Sequence, residues 1–67
     1  MYIIQLIDVW DIPGHVMYYA DETKFVHLAI LAKLFHTEEE CKPILDNADQ
    51  FCGIYHAKKL EVIKVSG

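Results

Sequence analysis

Arginine is absent from this 67-residue chain. Its planar, bidentate guanidinium is the usual reader of phosphates and guanine edges. The six basic residues are all lysines and face ten acids, for a net charge of −4. A duplex-binding module needs a clustered basic face, so this composition excludes that class and no direct nucleic-acid binding is expected. Long apolar runs are missing too. None approaches the roughly 20 residues that span a bilayer, so no membrane partner is expected. The opening Met1-Tyr2-Ile3-Ile4-Gln5 has neither the basic start nor the small-residue cleavage site of a secretory signal. Glycine and proline number only three and two, and there is no linker, repeat or low-complexity stretch. Residues 1–67 therefore read as a single small domain. Cysteine is limited to Cys41 and Cys52. The expected compartment is the cytoplasm, where thiols stay reduced.

Apolar residues are plentiful instead, at 54% of the chain. That is too many for a disordered segment. A chain of this size buries only about 60% of its unfolded surface, so part of the apolar complement must lie outside. Contiguous apolar surface usually marks an interface, which makes association the first functional expectation.

Residues 2–10 are β-branched and aromatic and read as a strand, largely apolar on both faces and hence central or covered on both sides. Period two puts Tyr2, Ile4, Leu6, Asp8 and Trp10 on one face, and Ile3, Gln5, Ile7 and Val9 on the other. Asp11-Ile12-Pro13-Gly14 is a turn, and His15–Ala20 completes a β-hairpin. In residues 22–36, Phe25, Leu28, Ala29, Ala32 and Phe35 fit a helical spacing, with Asp21 as N-cap. Val26, Ile30, Leu31 and Leu34 fill the opposite side, so an extended piece with a tight turn at Ala32-Lys33 is the alternative. Thr37-Glu38-Glu39-Glu40 is a capping box, with acids suited to a helix start. Cys41, Ile44, Leu45 and Ala48 then form a narrow apolar stripe. Pro43 should bend or restart that helix, and Gly53 is a natural stop. Residues 54–56 read as a short extended stretch and 60–65 as the last strand. The fold class is α+β: a small antiparallel sheet, hairpin plus C-terminal strand, with one or two helices on one face.

Chemistry-bearing residues are few. His36, Cys41, Cys52 and His56 could supply a tetrahedral zinc set. The short Cys-x2–4-Cys knuckle is missing, however, and Cys41 falls on the apolar stripe, where cysteine behaves as a core hydrophobe. A cysteine nucleophile needs an electropositive setting, whereas Cys41 follows three glutamates. No catalytic residue, metal or cofactor is expected. Residues 37–50 hold five acids and one lysine, a charge of −4 that equals the whole chain's. Such a run is an ordinary solvated helix face or an acidic surface that docks on a basic one, with Glu38 and Glu39 free to do so. Trp10, Tyr18 and Tyr19 make the hairpin end aromatic, as interface centres are. Tyr18 and Tyr19 must point to opposite faces, so one of them lies off the core. Should neither surface bind, the apolar surplus of residues 25–35 is the next candidate. Lys58, Lys59 and Lys64 read as protection of an edge strand.

Met1-Tyr2-Ile3-Ile4, Ala32-Lys33-Leu34-Phe35-His36-Thr37-Glu38-Glu39-Glu40-Cys41 and Leu60-Glu61-Val62-Ile63-Lys64-Val65 together resemble many short orphan proteins of phages and mobile elements. In those, an Ala-x-x-Phe-x-Thr-x-Glu-Glu-Ala pattern leads into the helix and a short strand finishes the fold. Cys41 departs from the usual alanine, and Pro43 interrupts the helix. The resemblance implies a role and no site residue: small non-enzymatic proteins that bind and disable a host factor, anti-CRISPR proteins among them. The expected partner is a host protein or nucleoprotein complex in the host cytoplasm. The alternatives are a self-associating assembly subunit, which is a homo-oligomer, and a zinc-binding domain.

Overall fold

In the computed structural model, which describes residues 1–21 and 24–65, strand β1 (Tyr2–Ile7) runs through the middle of the sheet. Its two neighbours are β2 (Met17–Asp21) and β4 (Lys59–Lys64), both antiparallel to it. Strand β3 (Lys24–Val26) pairs with β2 and gives the order β3-β2-β1-β4. Helices α1 (Glu38–Leu45) and α2 (Ala48–Tyr55) complete an α+β fold.

One face of the sheet carries the core. Ile4, Leu6, Met17, Tyr19 and Phe25 from the strands meet Phe35, Cys41 and Phe51, with Leu60 and Val62 packed against them. The register explains the sharing of a face: Leu6 is opposite Met17 and Leu60, and Tyr19 is opposite Phe25. Four aromatic rings, Tyr19, Phe25, Phe51 and Tyr55, form a run of edge contacts, with Phe25 within 5.2 Å of both Phe51 and Tyr55.

The first strand is shorter than the 2–10 expected. Asp8 takes φ 55°, and Trp10 and Asp11 also have positive φ, so the chain leaves the sheet in a 3-10 turn over Val9–Asp11. This break of the period-two pattern sends Val9 into the core, fully buried, and leaves Trp10 exposed. The expected turn is present: His15 N–H donates to Ile12 C=O at 3.0 Å around Pro13 and Gly14, and Gly14 has φ 82°. Proline then glycine at the centre is the arrangement of a type II turn. The Asp8 carboxylate accepts from Gly14 N–H at 2.8 Å and ties the loop to its start.

The helix reading of 22–36 is overturned, and the extended alternative is nearer the truth. Asp21 ends β2 and faces Lys24 across the sheet rather than capping a helix; residues 22 and 23 lie outside the described residues. After β3, a 3-10 turn over Ala29–Leu31 leads back toward the sheet. There Lys33 N–H donates to Tyr19 C=O at 2.9 Å, and Phe35 forms an antiparallel bridge with Tyr2.

The capping box forms as expected: Glu40 N–H donates to Thr37 Oγ1 at 3.3 Å, and Thr37 N–H to Glu40 Oε1 at 3.0 Å. Pro43 stands inside α1, and the chain restarts at α2. At the joint Asn47 N–H reaches back only three residues, to Ile44 C=O, while the Asn47 side chain satisfies the Pro43 carbonyl at 3.0 Å. Gly53 does not stop the second helix, and residues 54–55 are helical, not extended. The stop is His56 in the left-handed region, φ 49°.

Candidate functional site

The sequence-derived residues fall in three places. Trp10, 48% exposed, sits on the strained turn after β1. Its ring centroid lies 6.0 Å from Tyr55 and 5.5 Å from His56. Asp11 N–H donates to His56 C=O at 3.1 Å, so this turn is pinned to the end of α2. A bulky residue in the left-handed region costs on the order of 1–3 kcal/mol and persists only where its surroundings impose it.

Tyr18 and Tyr19 separate as strand geometry requires. Tyr19 is buried against Phe25, Phe35 and Phe51, so it is the member of the pair that faces the core and is removed from the candidate binding residues. Tyr18 points to the face away from the helices, between Gln5 and Val26 in the register. Trp10 and Tyr18 thus do not form one aromatic cluster.

Glu38 and Glu39 are exposed in the first turn of α1. Glu40 is engaged in the cap, where its carboxylate also accepts from His36 N–H at 2.9 Å. Glu38 and Glu39 line a groove of about 550 Å³ between α1 and β4, together with Lys42, Leu45, Leu60, Glu61 and Val62. Its floor is aliphatic, and on the α1 side Glu38 and Glu39 stand against Lys42. Glu61, opposite Gln5 in the register, turns its side chain to the other face of the sheet, where it pairs with Lys59. Sequence reading missed Leu60 and Val62 as partners of Glu38, because only the packing of α1 on β4 brings them together.

The cysteines are both free. Cys41 is fully buried and its thiol lies 3.9 Å from the Thr37 carbonyl. Burial first, then the Glu40 and Glu38 carboxylates, hold its pKa above the ordinary thiol range. Burial and Asp49 raise that of Cys52. Neither thiol is a ready nucleophile at neutral pH. Among the described residues no group of three or more His, Cys, Asp or Glu side chains is arranged to hold a metal ion.

A further surface lies in the chain between β3 and α1. Leu28, Ile30, Leu31 and Leu34 are 54–88% exposed within seven residues. The segment is held by backbone bonds, Leu31 N–H to Leu28 C=O at 3.1 Å and Ala32 N–H to Ala29 C=O at 3.0 Å. It falls within the 25–35 stretch whose apolar surplus the sequence displays. No helix among the described residues is long and apolar enough to cross a membrane. No protein-family model, curated protein or solved structure matches the chain.

Proposed function

We propose that this chain is a small non-enzymatic protein-binding module, an inhibitor of the phage or mobile-element kind that disables a host machine. In that reading its role is anti-CRISPR-like. Its partner is a host protein or nucleoprotein complex in the host cytoplasm, and it makes no contact with nucleic acid itself. The observation that carries the reading is the hydrogen-bonded segment 28–34, which holds four large aliphatic side chains in water. Displaying them costs solvation free energy that an apolar partner surface recovers. Trp10, strained and exposed, supports the same reading, since aromatic anchors dominate interface energetics.

The test is capture of partners from the host by the wild-type chain and by Ile30→Asp with Leu31→Asp. Both positions are exposed, so the variant keeps its circular dichroism and melting temperature. Loss of about tenfold or more in affinity, the scale of a hot-spot change, supports the reading. Unchanged affinity removes segment 28–34 as the interface. The same exposed patch suits a second copy of the chain, which is the alternative reading. Sedimentation at several concentrations separates the two, since only self-association shifts with the concentration of the pure protein.

A further inference from the structure

We propose that the outer edge of β4 and the groove beside α1 take up an extended, basic segment of another protein as an additional strand. This rests on the protein-binding reading and adds to it a second site, with the backbone conformation and charge of what fills it.

Strand β4 ends the sheet and is six residues long, against three in β3 at the opposite edge. Val65 N–H donates to Met1 C=O at 2.8 Å, which fixes the phase of the ladder. Residues 61 and 63 therefore bond inward to β1, and Leu60, Val62 and Lys64 turn their N–H and C=O groups outward. Leu60 and Val62 are also the floor of the groove. A strand bonded to those outward groups lays every second side chain over Leu45, Leu60 and Val62. Lysines at both ends of β4, Lys59 and Lys64, guard against unselective pairing. Between them the edge is open.

Charge selects the occupant. Glu38 and Glu39 outnumber the one cation, Lys42, on the α1 side of the groove. Among the described residues the only ion pair is Lys59–Glu61, at 3.4 Å and exposed, so Glu38 and Glu39 keep their charge available. A second copy docking on β4 about a two-fold axis carries its own acidic α1 to the same seam, which sets like charges together. Nucleic acid is repelled outright. An extended segment alternating lysine or arginine with aliphatic residues fits both the floor and the walls.

The experiment titrates the isotopically labelled full chain with a synthetic peptide of about seven residues alternating lysine and valine, a strand-length probe. Resonance shifts and amide exchange are read residue by residue. The expected result is saturable shifts with slowed exchange at Leu60, Val62 and Lys64. Affinity should fall about tenfold or more with a peptide N-methylated at alternate backbone nitrogens, with a glutamate-for-lysine peptide, and with Glu38→Lys plus Glu39→Lys. The milder pair Glu38→Gln and Glu39→Gln should give an intermediate loss. Equal binding of the N-methylated peptide, absence of saturable shifts in β4, or β4 shifts that follow protein concentration alone each overturn the proposal. Failure here while Ile30→Asp with Leu31→Asp still abolishes partner capture removes the groove and leaves the binding module standing. Loss of both results removes both.

Discussion

Phe35 and Tyr2 bond each other twice, each N–H donating to the other's carbonyl at 2.8 Å. This bridge ties the end of the irregular 27–34 segment to the start of the central strand, on the side where β2 has diverged past its bulge between Tyr19 and Asp21. The Phe35 ring is buried in the core beside Tyr19, 6.1 Å between centroids. Replacing Phe35 by alanine should therefore cost about 3–5 kcal/mol, the usual range for emptying a buried aromatic site. Leu45→Ala, at a half-buried position, should cost less than Leu6→Ala, which is fully buried. Urea unfolding of the three variants checks the ranking. Equal losses at Leu45 and Leu6 would contradict this account of the core.

The two described glycines should respond in opposite directions. Gly53 lies inside α2, and an added Cβ meets nothing within 4 Å. Gly53→Ala should stabilise by about 0.5–1 kcal/mol through helix propensity. Gly14, at φ 82°, should lose about 1–2 kcal/mol as alanine, because a Cβ disfavours that conformation. Thermal melts that move both variants the same way would refute the assignment.

Trp10 couples strain to binding. Trp10→Gly relieves the left-handed backbone that Trp10→Ala keeps, so the glycine variant should be more stable than the alanine one by about 1 kcal/mol. Both lose the ring, and on the proposed function both should release the partner faster with little change in association. A slower association with unchanged release would show that Trp10 is no anchor. Charge reversal at Glu38 and Glu39 should do the converse, slowing association and flattening its salt dependence.

The thiols set an alkaline limit. Cys41 and Cys52 have pKa values raised in the native state, so folding favours the protonated form. That contribution is complete below the unfolded thiol value of about 8.5 and declines as pH rises above it, since the unfolded chain sheds protons the native chain keeps. Stability measured from about pH 7 to about pH 10 should fall more steeply in the wild type than in Cys41→Ala with Cys52→Ala. Identical slopes would rule the thiols out as the cause.

Local chemistry alone determined several parts of this protein. The capping box at Thr37 and Glu40, the turn at Pro13 and Gly14, the apolar stripe through Cys41, Ile44 and Leu45, and the central apolar strand each follow from side chains near in sequence. Each involves a backbone group satisfied within a few residues, or a period that one face of one element imposes. Residues 24–36 were beyond such reading. Phe25 and Phe35 share a helical spacing, yet one enters the core from β3 and the other from the bridge to Tyr2. Leu28, Ile30, Leu31 and Leu34 between them stay in solvent. A period assembled from residues serving different places predicts nothing, and the backbone pairing of β3 with β2 decided the outcome. Strand β1 ended early for a similar reason: positive φ at Asp8 is imposed by the loop that its carboxylate closes onto Gly14. The groove shows the division most clearly. The chain supplies Glu38 and Glu39 at one point and Leu60–Val62 some twenty residues later. Burial of the Cys41 side of α1 is what brings them to face each other, because a helix that hides one stripe must turn its neighbours toward whatever flanks it.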